Sequence, residues 1–219
     1  MNRLLFEKTG DAVYLSHLDL MRVFQRAFQR AGILIWHSQG FSPRAYVSIA
    51  LPLPVGMRSG CEILDFEIED GAVELAQVPA RLNAVMPEGI RVLKAYESKR
   101  KIKELTLLRA EVRLEYDEGA PQDAAKRLSR LFSREALPII KRSKKGDKEV
   151  DIRSLIRSLT IAQVASGELR LEAVLSAQNP GLNPQLLVQA IETYEPELTP
   201  SFSHAARLEV LDETMNPFR

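Results

Sequence analysis

Three groups of residues have types and spacings that could do chemistry. The first is the run Ser38-Gln-Gly-Phe-Ser-Pro-Arg44. Gly40 permits a tight turn whose backbone amides could cradle an anion. Arg44 could clamp that anion bidentately, Phe41 could stack on a base, and Ser42 adds a hydroxyl. The alternative is a structural turn with Phe41 packed into the core. The second group is Arg22, Arg26 and Arg30, spaced four apart beside Asp19. On a helix they form a ridge with charges about 6 Å apart along the axis, a spacing that could follow successive phosphates. The same ridge could equally be a solvated helix back. The third group is His17 and His37, with Tyr14, Asp19 and Lys8 close by in sequence. If a helix start and a strand end meet, the two imidazoles would offer acid–base chemistry at neutral pH. A metal would need Asp19 as a further ligand. No His-x-x-x-His or comparable spacing supports one, so neither metal nor cofactor is expected.

The elements that must position these residues follow from periodicity. Arg3 to Lys8 reads as a strand, Thr9-Gly-Asp11 as its turn, and 12–15 as a further extended piece. Ser16 is placed as the N-cap of a helix, with the Asp19 carboxylate three residues on. That helix runs from His17 to about Ala31 and ends at Gly32. Leu20, Phe24, Ala27, Phe28 and Ala31 form its apolar keel, opposite the arginine ridge. Strands are expected over 33–37 and 46–51, and over 62–68, where Glu62, Asp65, Glu67, Glu69 and Asp70 read as a mostly solvated face. A second helix is expected over 73–86 and a strand over 90–96.

Strand, helix, strands, helix, strand is the ferredoxin-like βαββαβ order, with both helices on one face of an antiparallel sheet and the other face open. Beyond a charged hinge (Lys99, Arg100, Lys101, Lys103) the scheme recurs. Strands fall over 107–116, 137–141, 148–152, 158–161, 168–175 and 205–211, with helices over 121–134 and 184–193. The fold class is therefore α+β, as tandem ferredoxin-like halves over 1–104, with an extra hairpin element, and 105–219.

Composition narrows the function classes. The 219 residues are 45% hydrophobic and 27% charged, enough for a core and a soluble surface. No run of about 18 apolar residues offers a membrane span, and the charged start lacks a signal peptide's apolar stretch, so a cytoplasmic location is expected. Cys61 is the single cysteine. It allows no internal disulfide and no Cys-based zinc site, and an iron–sulfur cluster would want three or four thiolates. The net charge of +1 gives no bulk field for polyanions, so basic clusters, including the run Lys141 to Lys148, must be judged one by one. No P-loop, dinucleotide fingerprint or Gly-x-Ser-x-Gly is present.

Several of these segments together resemble a known family: Leu4-Leu-Phe-Glu-Lys-Thr-Gly10, Leu15-Ser-His-Leu-Asp19, Arg26-Ala-Phe-Gln-Arg-Ala-Gly32, Ser38-Gln-Gly-Phe-Ser-Pro-Arg44, Ala50-Leu-Pro-Leu-Pro-Val-Gly56 and Lys148-Glu-Val-Asp-Ile-Arg153. The resemblance is to the bacterial radical-SAM-linked domain, of unknown function, which occurs as a separate protein or fused after a radical SAM protein. Family versions usually carry Asn where Ser42 stands. The resemblance implies a radical SAM protein as partner and a setting near RNA-processing and ribosomal genes. With a single cysteine here, the radical chemistry would belong to the other chain. Three expectations follow. The first is a noncatalytic accessory protein that handles RNA, with Ser16, His17, Asp19, Arg22, Arg26, Arg30, Gly40, Phe41, Ser42 and Arg44 as binding residues. The second is a metal-independent RNA-processing or RNA-modifying enzyme using His17, His37 and Tyr14. The third is a protein-docking subunit that uses the apolar run 50–55.

Overall fold

The structure, a computed structural model, describes residues 1–39, 41, 43–69, 73–141 and 146–219. Gly40, Ser42, Asp70 and residues 142–145 of the basic run lie outside the described residues. The chain divides into two compact units, Met1–Glu104 with Pro217–Arg219, and Leu105–Asn216. The last three residues, which the sequence reading gave to the second half, belong with the first.

The first unit contains β1 (Asn2–Lys8), α1 (His17–Arg30), β2 (Val47–Ile49), β3 (Arg58–Phe66), α2 (Val78–Asn83) and β4 (Ile90–Glu97). Its strands lie in the order β4-β1-β3-β2, with antiparallel pairing throughout. Leu4 and Phe6 of β1, Leu64 and Phe66 of β3 and Val92 of β4 pack with Leu20, Phe24, Ala27 and Phe28 of α1 in one apolar cluster. Phe6 meets Phe24 edge to face at 4.7 Å between ring centroids. The keel spacing therefore does what amphipathic geometry requires.

The opposite sheet face was expected to be open, and Glu62 and Asp65 to be solvated. Both expectations are corrected: Arg3, Cys61, Ile63 and Asp65 of that face are buried, and so is Glu62, the register partner of Phe6, on the other. Arg3 and Asp65 are register partners and form a two-pronged ion pair, which lets charge enter the interior. Lys8 is also buried and donates to the carbonyls of Val13 and Leu15. Burial pulls its ammonium below the ordinary lysine value, while the Glu62 carboxylate opposes that shift.

Three local expectations shift. Residues 10–14 form a 3-10 turn rather than an extended piece. The second helix shortens to Val78–Asn83, preceded by a 3-10 turn at Leu75–Gln77. Pro79 explains the start, because proline fits the first helical turn and breaks an interior one. The segment 33–37 carries only isolated bridges, Ile35 with Ile68 and His37 with Ala45.

The second unit contains β5 (Leu107–Glu115), α3 (Ala124–Phe132), β6 (Pro138–Lys141), β7 (Lys148–Asp151), β8 (Ile156–Ala165), β9 (Glu168–Ser176), α4 (Gln185–Tyr194) and β10 (Phe202–Leu211). Its strands run β10-β5-β9-β8, again antiparallel, and β6 and β7 form a separate hairpin. Leu128, Leu131 and Phe132 of α3 and Leu187 and Ile191 of α4 are buried. Arg127 of α3 is paired with Glu195 at 2.7 Å and Glu197 at 3.0 Å.

Tyr116 follows β5, is buried, and donates its hydroxyl to the Leu198 carbonyl at 2.9 Å. Burial pushes its phenol from 10.0 up to about 12. An acid whose folded pKa is raised holds its proton longer in the native state. Its contribution to stability is thus fully present below pH 10.0 and is lost as pH rises through about 12. Tyr116→Phe is expected to lower stability by about 1 kcal/mol at neutral pH. That deficit should shrink, and then reverse, on the alkaline side. Denaturant melts across pH check it, together with phenolate absorbance. All five tyrosines titrating together near 10.0 would refute it.

Candidate functional site

The Ser16 hydroxyl accepts from the Asp19 amide at 3.2 Å and donates to the Asp19 carboxylate at 2.7 Å. This cap begins α1 where the sequence placed it, and caps of this type contribute about 1 kcal/mol. The Ser16 hydroxyl, and next the Arg22 guanidinium at 3.0 Å, hold the Asp19 carboxyl below its ordinary value. Arg22 is thereby tied to its own helix. Arg30 reaches back to donate to the Val85 carbonyl at 2.8 Å. The three-arginine ridge is divided by these bonds: Arg22 serves the helix start, Arg30 anchors the helix end, and Arg26 alone faces a cleft.

That cleft, about 410 Å³, lies along the C-terminal half of α1. Phe28, Ile33 and Ile35 are buried beneath it, Leu34 and Ala45 supply its accessible apolar surface, and Arg26, Gln29, His37 and Arg44 complete it. Gln25 fixes one wall by donating its amide to the Ala45 carbonyl at 2.9 Å. Ser38 and Arg44 are tied to each other, the Ser38 amide donating to the Arg44 carbonyl and the Arg44 amide donating to the Ser38 hydroxyl. This brings Arg44, from the loop, to the same cleft as Arg26, from the helix. Phe41 is fully exposed, so it does not plug the core.

Beside the cleft, Trp36 and Tyr46 meet edge to face at 5.7 Å, and Trp36 keeps 39% of its surface exposed. Gln25, Gln29, Leu34, Trp36 and Tyr46 were not singled out from the sequence. The available signal was a lone Trp in an apolar segment whose alternate residues turn outward: Ile33 and Ile35 are buried, whereas Leu34 and Trp36 are exposed.

The two histidines are not brought together. His37 lines the cleft beside residues 25–29, whereas His17 sits in the first turn of α1, about 12 Å away along the helix axis. The Nδ1 atom of His17 is buried with no hydrogen-bond partner among the described residues. Tyr14 is 71% exposed. Among the described residues no group of three or more His, Cys, Asp or Glu side chains could hold a metal ion, and no helix is long and apolar enough to cross a membrane. Cys61 is buried beside the Ser59 hydroxyl at 3.4 Å.

A chain in the crystal structure of a Cbf5-Nop10-Gar1 complex matches 95% of this chain at 9% identity and a TM-score of 0.51. This chain spans about half, 48%, of that one, and at such identity the likeness concerns the fold alone. The crystal structure of an unknown protein from Galdieria sulphuraria matches over 94% of this chain and 96% of its own, at 10% identity and a TM-score of 0.26. None of the curated proteins matches. A family model described as "Uncharacterized protein conserved in bacteria (DUF2344)" matches residues 2–184. The chain belongs to this bacterial family of unknown function.

Proposed function

We propose that the chain is a noncatalytic accessory protein that binds RNA through the cleft of its first unit and serves a radical SAM enzyme as partner. One observation carries the binding part: Arg26 and Arg44, from a helix and a separate loop, line one cleft with His37 and the exposed Leu34, beside the exposed Trp36 ring and its partner Tyr46. Guanidiniums supply phosphate contacts and exposed rings supply stacking surface, the two components of sequence-tolerant single-strand binding. The radical SAM partner rests on the motif resemblance, and the partner would supply the iron–sulfur chemistry that a chain with one cysteine cannot. With the separate β6–β7 hairpin left out, strand orders β4-β1-β3-β2 and β10-β5-β9-β8 both read fourth, first, third, second among the strands of their halves. They support a tandem ferredoxin-like description, with β6–β7 inserted in the second half.

The test is RNA binding at two salt concentrations, comparing wild type with Arg26→Ala/Arg44→Ala. Wild-type affinity is expected to fall steeply with salt. The variant should bind more weakly, with a log–log salt slope shallower by about 1.4, as two lost contacts on a single strand require. Absence of binding by the wild type at low salt would remove the RNA reading. Co-purification with a radical SAM protein tests the partner separately.

A further inference from the structure

The shape and chemistry of the cleft narrow its ligand further. Phe28, Ile33 and Ile35 lie buried beneath it, and the apolar surface it offers to whatever enters is that of Leu34, 62% exposed, with half-buried Ala45. Its cations, Arg26 and Arg44, stand exposed. A ligand that satisfies both must join a flat, weakly polar body to an anion. The volume of about 410 Å³ is that of a small-ligand pocket. It cannot admit a nucleic-acid double helix, and a duplex keeps its base faces stacked on one another, presenting phosphates and 2′-hydroxyls instead. A duplex on this surface would leave Leu34 and Ala45 without an apolar partner.

We infer that the cleft takes one unpaired nucleotide of a single strand, with its base against Leu34 and Ala45 and its phosphate on Arg26 and Arg44. This rests on the RNA-binding reading above. With the Gln25 amide committed to Ala45, Gln29 and His37 are the groups left to meet the base edge. Neighbouring bases have the exposed Trp36 ring, backed by half-buried Tyr46, to stack on. The ligand class is thus single-stranded RNA, not duplex RNA and not an acidic peptide.

Gln29→Trp separates these possibilities. Gln29 is exposed on α1, so a larger side chain there fills the cleft without removing either arginine or disturbing the keel. A labelled short oligouridylate and an RNA duplex of equal length are titrated into wild type and Gln29→Trp, with anisotropy as readout and circular dichroism confirming the fold. Wild type should prefer the single strand by about tenfold, and Gln29→Trp should abolish that preference. Uridine monophosphate should displace the oligonucleotide at lower concentration than uridine or inorganic phosphate. Equal binding of duplex and single strand, or an unchanged preference in Gln29→Trp, overturns this inference but leaves RNA binding standing if Arg26→Ala/Arg44→Ala still weakens it. Displacement by polyglutamate but not by uridine monophosphate also overturns it, in favour of a peptide. If neither RNA binds wild type, the RNA-binding reading falls, and this inference with it.

Discussion

Asp65→Ala is expected to destabilise the first unit by about 3–5 kcal/mol, the cost of leaving a buried charge without its partner. Arg3 Nε lies 2.6 Å from Asp65 Oδ1, and Arg3 Nη2 lies 3.1 Å from Oδ2, with side-chain exposures of only 2% and 5%. The guanidinium also donates to the Ser98 hydroxyl at 2.8 Å and the Arg100 carbonyl at 3.1 Å, and sits 5.1 Å from the Phe218 ring centroid. Those neutral contacts remain in Asp65→Ala and cannot replace a carboxylate. In β4, the register partner of Arg3 is Tyr96, whose phenol is held above its ordinary range by burial, so it offers no anion either. Urea unfolding followed by Trp36 fluorescence reports on the unit concerned. The double substitution Arg3→Met/Asp65→Leu should cost much less than Asp65→Ala, because both charges leave together. A loss below about 1 kcal/mol in Asp65→Ala would mean that the pair behaves like a surface ion pair.

This pair also marks where reading the sequence stops. Helix α1 was legible because its signals are local: the Ser16 cap, the keel from Leu20 to Phe28, and Gly32 beyond the end all fall within seventeen residues. The burial of Glu62 and Asp65 was not legible. Alternation says only that two faces differ, and the partner of Asp65 is sixty-two positions away at Arg3. Pro79 could have trimmed the second helix, since a proline within the expected span 73–86 points to a first turn there. For the site, the sequence identified Arg26 and Arg44 but grouped Arg26 with Arg22 and Arg30 by charge. Only the bonds to Asp19 and Val85 separate the three. Gln25 and Gln29 went unnoticed because an amide carries no pattern until the 33–45 segment folds against it. The pairing of His17 with His37 assumed that a helix start and a strand end adjoin, whereas the cleft lies toward the other end of α1.

Phe24→Ala and Arg26→Ala, two positions apart on one helix, should therefore act on different properties. A two-residue step turns a helix by about 200°, so the keel and the cleft face are reached by neighbouring residues. Phe24 is fully buried, packed edge to face on Phe6 within the cluster that joins α1 to β1 and β3. Truncating it removes a large ring from a close-packed interior and should cost about 3–5 kcal/mol, with Phe24→Leu costing less because most of the volume remains. Arg26 is exposed, and its loss should change stability by no more than about 0.5 kcal/mol. Binding should show the reverse order wherever Phe24→Ala is still folded. The variant with the damaged core keeps both guanidiniums and should bind RNA close to normally, whereas the fully stable Arg26→Ala should bind weakly. Urea melts and anisotropy on the same preparations give both orders. If Phe24→Ala, at a temperature where it is folded, loses as much affinity as Arg26→Ala, then the keel sets the cleft geometry directly and the two faces of α1 are not independent.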